Sequence, residues 1–312
     1  VVDNAGHETE ATKDLKIDIT HPTIAVTYDL NTPLNERYYK DVRTATVVVT
    51  ERNFDESAVR FNITNTDGTQ PAISGWTHSA NAGVSDDATH TCQVTFAADG
   101  DYTFTLETTD LAGNAAADYT QDKFTVDKTD PEVEFFDIED KSANNGTVAP
   151  GVKYSDVNYM ESGVDITIKG AKHDKTELSG NRTNIANGES IKMEDFKHDE
   201  ETDDVYTMTA VIKDKAGNET EKEVMFSVNR FGSNYIFSET TEKFLDDVYA
   251  NKPKDLVVTE VNVDSLVFNG ISYGLDGTKK ELKAGSDYTV KQSGGEGSWK
   301  EYTYTIKKEN FE

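Results

Sequence analysis

The chain has 312 residues, of which 58 are acidic and 31 basic, and its formal net charge is −27. A surface this acidic repels nucleic acid and anionic membranes, so we expect neither as a partner. Cys92 is the single cysteine, which excludes an intrachain disulfide, and no apolar run is long enough for a membrane span. We therefore expect no membrane insertion.

One short segment recurs along the chain. It reads Asp-Asn-Ala-Gly-His at 3–7, Asp-Leu-Ala-Gly-Asn at 110–114 and Asp-Lys-Ala-Gly-Asn at 214–218. The glycines lie 107 and 104 residues apart, an interval that matches a whole domain and not a solenoid repeat. A second pattern, marked by Asn53, Asn158 and Asn262, recurs after 105 and 104 residues. The sequence therefore predicts successive similar domains.

Alternating apolar and polar residues predict strands with one face packed inward, as in antiparallel sheets. In chain order, the clearest alternating runs lie at 102–106, 164–168, 206–210 and 302–306. Helical periodicity is scarce, and its best stretch predicts a helix over Thr241–Ala250. Thr240 or Thr241 is the expected cap, and Pro253 is the expected stop. The predicted fold class is all-β.

Two tyrosines have the same relation to the recurring segment. Tyr102 and Tyr206 each follow an acidic turn and precede the aspartate of that segment by eight residues. A tyrosine corner occupies this position in immunoglobulin-like sandwiches, with its ring inside and its hydroxyl bonded to nearby backbone. The Asp-x-Ala-Gly-Asn segment would then be the turn between strands F and G, with glycine at positive φ.

These turns and tyrosines carry a family resemblance. Three further segments add to it: Ile-Ser-Gly-Trp-Thr at 73–77, Val-Asp-Lys-Thr-Asp-Pro at 126–131 and Val-Asn-Arg-Phe-Gly-Ser at 228–233. Over nearly its whole length the chain resembles tandem bacterial immunoglobulin-like repeats of Gram-positive (Firmicutes) cell-surface proteins. The resemblance implies stalks, adhesin arms or host-protein binders at the bacterial cell surface, outside the cell. The third unit departs from the pattern, because no Asp-x-x-x-Pro opens it.

The period and the resemblance together predict an elongated array with four parts. Residues 1–19 are expected to be the C-terminal strands of a preceding immunoglobulin-like unit. Residues 20–128 and 129–229 are expected to be two complete immunoglobulin-like domains, and residues 230–312 a third that lacks its last strands. Because the sequence begins inside a repeated motif, we expect it to be part of a longer multidomain chain.

Motifs that could carry catalysis do not fit their chemistry. Gly270–Gly274 matches G-x-S-x-G, but its flanks are predicted strands and no histidine follows His198 to complete a triad. His90 and Cys92 on one strand face would supply two ligands, which do not make a zinc site. Gly294–Gly297 has no lysine and no following helix, so it is predicted to be a hairpin loop and not a phosphate cradle. We predict no enzyme and no catalytic residue.

No cofactor is predicted, but carboxylates near the predicted domain boundary suggest Ca²⁺ binding as an alternative. Asp110, Asp127 and Asp130 are expected to converge there, and Ca²⁺ prefers carboxylate and carbonyl oxygens. Turn and capping roles for these aspartates are the competing interpretation, and no EF-hand loop is present. No metal ligand is assigned, and Ca²⁺ at a domain junction stays an open alternative.

Five aromatic residues lie outside clean alternation and could anchor a protein or stack on a sugar. They are Tyr38, Tyr39, Trp76, Phe231 and Trp299. Core or loop packing is the alternative for each, so no binding residue is assigned. The leading hypothesis is a non-catalytic adhesin array that presents or binds a host extracellular protein or glycan, such as an immunoglobulin or a mucin glycoprotein. The alternatives are a purely structural spacer stalk and accessory carbohydrate-binding modules of a secreted glycosidase.

Overall fold

The chain folds into two compact units made mostly of strands. The structure, a computed structural model, describes residues 1–120, 123–172, 180–181, 188, 190–192, 195–246, 251–262, 270–275, 278–294 and 299–311. Unit 1 comprises Val1–Thr129 with Lys215–Gly217, and unit 2 comprises Asp130–Asp214 with Asn218–Glu312.

Unit 1 is a two-sheet sandwich. Its strands are β1 (Thr23–Tyr28), β2 (Tyr38–Tyr39), β3 (Arg43–Thr50), β4 (Arg60–Asn65), β5 (Ala72–Ile73), β6 (Thr77–His78), β7 (Thr89–Phe96), β8 (Gly100–Glu107), β9 (Tyr119–Thr120) and β10 (Phe124–Val126). One sheet has the order β1-β3-β7-β5 with β6 also on β7, and the other has the order β2-β10-β8-β4 with β9 also on β8. These are the A-B-E-D and G-F-C orders of an immunoglobulin-like sandwich, with β2 paired in parallel to the last strand.

The core of unit 1 comes from inward faces of both sheets. Every second residue of β3 is buried, and β7 and β8 show the same alternation. The fully buried apolar side chains of this cluster include Ala45, Val47, Val94, Phe96, Phe104, Leu106 and Val126. The prediction that residues 102–106 alternate between core and solvent is therefore confirmed.

Unit 2 contains the remaining strands and the helix. They are β11 (Glu132–Phe136), β12 (Ser142–Asn144), β13 (Gly151–Ser155), β14 (Tyr159–Gly170), β15 (Gly180–Asn181), β16 (Ser190–Lys192), β17 (Asp204–Asp214), β18 (Glu219–Val228), β19 (Asn234–Phe237), α1 (Glu239–Asp246), β20 (Leu256–Asn262), β21 (Ile271–Leu275), β22 (Thr278–Leu282), β23 (Tyr288–Ser293) and β24 (Lys300–Ile306).

The strand order of unit 1 recurs in unit 2. One sheet runs β11-β13-β16 and its companion runs β12-β18-β17-β14-β15, again with a parallel pair at β12 and β18. Further along the chain, β19-β20-β24-β23 repeats the order of β1-β3-β7-β5, and β21 pairs with β22 as a hairpin. The all-β, immunoglobulin-like fold class is therefore confirmed, while the predicted domain boundaries stay predictions.

The helix begins earlier than the sequence predicts. Thr241, one of the two expected caps, is buried inside the first turn, and its hydroxyl accepts the Val257 N–H at 2.8 Å. Ser238 is the actual cap, because its hydroxyl accepts the Thr241 N–H at 3.2 Å. Residues 247–250 of the predicted helix lie outside the described residues. Within the described part of the chain, no helix has the length and apolar character needed to cross a bilayer.

Candidate functional site

The recurring Asp-x-Ala-Gly-Asn segment forms a closed turn. The Asp110 Oδ1 accepts the N–H groups of Ala112 and Asn114 at 2.9 and 2.8 Å. The Asp110 Oδ2 accepts the side-chain amide of Asn114 at 2.9 Å. Gly113 has a φ of 88°, a conformation that glycine adopts without steric cost. One carboxylate thus satisfies three donors and holds the turn shut.

The other two copies of the segment fold in the same way. Asp214 accepts the Asn218 N–H at 2.9 Å and its side-chain amide at 2.7 Å. Asp3 accepts the His7 N–H at 2.8 Å, and its other oxygen lies 2.9 Å from the His7 Nδ1. The prediction that one local structure recurs along the chain is therefore confirmed.

Both predicted tyrosine corners are present. The Tyr102 hydroxyl donates to the Ala98 carbonyl oxygen at 2.8 Å, and the Tyr206 hydroxyl donates to the Thr202 carbonyl oxygen at 2.9 Å. Each bond reaches back four residues, and both rings are fully buried. The two tyrosines therefore fix the start of β8 and of β17 in the same geometry.

Three carboxylates of unit 1, which we call the unit 1 carboxylate cluster, meet at one end of the sandwich. They are Asp18 in the segment before β1, Glu51 directly after β3, and Asp110 in the turn after β8. One oxygen from each lies within 4.8 Å of the others. Glu51 is 2% exposed and Asp110 is 4% exposed, while Asp18 is half-buried.

Asn53 ties the three segments of this cluster together. Its backbone N–H donates to the Glu51 Oε1 at 2.8 Å, and its side-chain amide donates to the Asp18 Oδ2 at 2.5 Å. Its carbonyl oxygen accepts the Leu111 N–H at 2.9 Å, next to Asp110. The asparagine that marks the second sequence pattern is therefore the residue that assembles the cluster.

The cluster carries negative charge without a compensating ion pair. Among the described residues, no lysine or arginine lies within salt-bridge distance of Asp18, Glu51 or Asp110. The Oε2 of Glu51 is buried and has no hydrogen-bond partner there. The Thr20 N–H, followed by the Asn53 amide, lowers the pKa of Asp18, so that carboxylate is ionised near neutral pH. The arrangement has the chemistry of a cation site built from oxygen ligands.

The structure does not bring Asp110 to Asp127, so the expected convergence of Asp110, Asp127 and Asp130 is wrong. Val126 pairs with Gly100 at the start of β8, whereas Asp110 follows the end of β8. A strand of this length spans roughly 25 Å, so Asp110 and Asp127 lie at opposite ends of the sandwich. Asp130 is exposed at the start of unit 2.

The other chemical candidates lie in structural settings. Ser272 is an exposed residue of β21 that pairs with Glu281 in a hairpin, which is not the strand-turn-helix of a nucleophile elbow. His90 and Cys92 are both buried on one face of β7. The two nitrogens of His90 lie 2.7 Å from the His78 Nδ1 and 2.7 Å from the Glu51 carbonyl oxygen, so protein groups occupy both. Of the Gly294–Gly297 loop, residues 295–297 lie outside the described residues.

Most of the aromatic candidates pack inside the protein. Trp76 lies 4.9 and 6.3 Å from the ring centres of Phe54 and Phe61, Trp299 and Tyr39 are buried, and Tyr38 is half-buried. Phe231, also one of these candidates, is instead 57% exposed. The sequence analysis missed Tyr235 and Phe237, which are 43% and 39% exposed and share one face because they alternate along β19.

Comparison with known proteins gives structural likenesses only. No family model matches the chain, and no curated protein matches it. FdeC, an Escherichia coli adhesin, is 14% identical with a TM-score of 0.30, and the match covers 93% of this chain and 90% of FdeC.

Two further solved structures are similar at the same level. A tetra-tandem repeat from the extending region of a large adhesion protein is 16% identical with a TM-score of 0.32, covering 91% of this chain and 62% of that one. A protocadherin gammaB7 EC3-6 structure is 14% identical with a TM-score of 0.31, covering 92% and 69%. At these TM-scores the likenesses assign no family, ligand or partner.

Proposed function

We propose that this chain is a non-catalytic array of surface modules that presents or binds a host extracellular macromolecule. The observation that carries the proposal is repetition. The same closed turn, tyrosine corner and two-sheet order recur at an interval of about 105 residues in a chain of net charge −27. An array of equivalent units supplies length and repeated surface, whereas catalysis needs one distinctive centre.

The finer proposal follows from the resemblance to bacterial immunoglobulin-like repeats. It places the chain outside a Gram-positive cell, at the cell wall, as a segment of a larger adhesin. An immunoglobulin or a mucin glycoprotein is the proposed target class, because the resemblance implies an adhesin arm that binds host macromolecules of this kind.

Capture from host material tests this proposal. The 312-residue chain is immobilised, exposed to serum and to mucus, and then titrated with purified immunoglobulin and with mucin. Saturable binding that persists in about 0.5 M NaCl is expected, because salt screens non-specific attraction to an acidic surface. Absence of saturable binding to every one of these samples would favour the structural spacer stalk instead.

Carbohydrate binding, as by an accessory module of a glycosidase, is a second candidate. Tyr235 and Phe237 expose aromatic rings on one face of β19, and aromatic rings are common platforms for sugars. A glycan array probed with the wild-type chain and with a Tyr235→Ala/Phe237→Ala variant tests it. Leu245→Ala is the matched control, since Leu245 is an exposed apolar residue of the same unit. Glycan binding that the aromatic variant loses and the control keeps would support this candidate, and a blank array would exclude it.

A further inference from the structure

We propose that the unit 1 carboxylate cluster is a Ca²⁺ site in which Asp18, Glu51 and Asp110 supply the carboxylate ligands. The three residues come from three separate segments: the stretch before β1, the end of β3 and the turn after β8. A bound ion would therefore join segments that are distant in sequence.

The spacing of the oxygens fits one ion. Ca²⁺ binds oxygen at about 2.4 Å, so two oxygens on the same ion lie no more than about 4.8 Å apart. One oxygen from each of Asp18, Glu51 and Asp110 meets this limit for every pair. Carboxylates that bind through one or both oxygens, together with water, can complete the six to eight ligands that Ca²⁺ takes.

The electrostatics of the cluster point to a cation independently of this spacing. Glu51 is 98% buried, and its Oε2 has no hydrogen-bond partner in the described part of the chain. Burying a carboxylate beside two others is unfavourable because each loses water and repels its neighbours. Arg52, the cation whose charge acts on Asp18, forms its ion pair with Asp86 and not with the cluster, so a bound cation would offset the repulsion. A donor set made only of oxygen favours Ca²⁺ over zinc or copper.

Part of the arrangement recurs in unit 2. Asp156 and Asp214 stand one repeat after Glu51 and Asp110 in the sequence, and their carboxylate oxygens also lie within 4.8 Å of each other. Asn158 likewise stands one repeat after Asn53. A carboxylate directly after β3 or β13 that lies close to the aspartate of the closed turn is therefore a feature of the repeat.

Ca²⁺ binding at this site would fix the segment that precedes β1. Residues 9–22 contain no strand or helix, and Lys13 and Lys16 are exposed trypsin sites within them. Holding Asp18 against Glu51 and Asp110 would limit the opening of this segment. Trypsin cleavage at Lys16 is therefore expected to slow on the order of tenfold when free Ca²⁺ is about ten times its dissociation constant.

Two variants and a matched control test the ligand assignment. Equilibrium dialysis with radioactive Ca²⁺ counts the ions bound by the wild-type chain, Asp18→Asn, Glu51→Gln and Asp118→Asn. Asp118 is exposed in the same unit and is no member of the cluster, so its variant removes the same charge elsewhere. At a concentration that just saturates the wild type, Asp18→Asn and Glu51→Gln are expected to bind one ion fewer, and Asp118→Asn the wild-type number.

Asp18→Asn keeps the test decisive if Glu51→Gln fails to fold, because Asp18 precedes the first strand of the sandwich. The proposal is overturned if all four chains bind the same number of ions. It is also overturned if wild-type cleavage at Lys16 is equal in Ca²⁺ and in a chelator. A wild-type chain that binds no Ca²⁺ in the dialysis also overturns the proposal.

Discussion

At the scale of single residues, short polar side chains that bond to nearby backbone make the repeat recognisable. Asp110 closes its turn through three donors, and Asp214 accepts both donors of Asn218 in the same way. These bonds depend on residue type at fixed spacing, because a longer or apolar side chain cannot reach the same N–H groups. Local chemistry of this kind can be read from sequence.

The hydroxyl of the first tyrosine corner is expected to stabilise unit 1. Tyr102→Phe removes the bond to the Ala98 carbonyl oxygen and should lower the free energy of unfolding by about 1 kcal/mol. Tyr39→Phe is the matched control, since the Tyr39 hydroxyl makes no hydrogen bond to another described residue. Urea unfolding followed by circular dichroism measures both variants. Equal stabilities for the two would contradict a structural role for the corner bond.

Gly113, in the turn that Asp110 opens, is expected to contribute to stability only through its backbone conformation. A Cβ at Gly113 would touch no atom within 4 Å, but the φ of 88° is unfavourable for an L-residue. Gly113→Ala should therefore lower the free energy of unfolding by about 1–2 kcal/mol. Gly75→Ala, at an equally open position without positive φ, should cost little. If the two substitutions had the same effect, conformational strain would not be the cause.

The residues of the carboxylate cluster could be predicted only in part. Asp110 stands out in the recurring turn, but its partners Asp18 and Glu51 are separated from it by about half of the unit or more. Their proximity depends on which strand ends lie at the same end of the sandwich. The sequence analysis predicted this wrongly for Asp127. One signal was available: an acidic residue precedes each marker asparagine by two positions, as Glu51, Asp156 and Glu260.

At the scale of elements, strands were predictable because a period of two assigns each residue to a face. The run at 206–210 follows this rule, and Tyr206, Met208 and Ala210 are all buried in β17. The helix start was not predictable from the apolar spacing, since hydrogen bonds made by Ser238 and Thr241 decide it. Those bonds include one to Val257 in β20, a tertiary contact that local pattern does not encode.

Removal of the observed helix cap is expected to destabilise α1. Ser238→Ala deletes the acceptor of the Thr241 N–H and should cost about 1 kcal/mol. Thr240→Ala changes the cap position that the sequence predicts, and it should cost less because Thr240 lies inside the helix and is exposed. Thermal unfolding of the two variants compares them, and a larger loss for Thr240→Ala would contradict the observed start.

At the scale of the whole molecule, the strand order of one sheet repeats along the chain. The order A-B-E-D occurs as β1-β3-β7-β5 and again as β19-β20-β24-β23. The length of the repeat and the alternation within it could be predicted from the sequence, because both follow from the order of residues along the chain. The meeting of carboxylates from distant segments could not be predicted, because it arises only when the sheets assemble.

Cys92 offers a chemical test of whether unit 1 is folded. The thiol is 1% exposed, and burial followed by the charge of Glu56 raises its pKa to about 11. Roughly one thiol in a thousand is then ionised at pH 8, so alkylation is expected only after unfolding. Iodoacetamide labelling across a urea titration, read by intact mass, should rise with the unfolding transition. Fast labelling of the native chain would contradict the buried position of β7.

Hydrogen exchange followed by mass spectrometry tests the central claim most directly. The claim is that successive stretches of this chain fold into the same sandwich closed by the same turn. Slow exchange is predicted for β8 and β17 and also for the amides of Asn114 and Asn218, because each of those amides donates to the aspartate that opens its turn. Exchange at the rate of an unstructured peptide in both turns, or in only one of the two strands, would contradict the account.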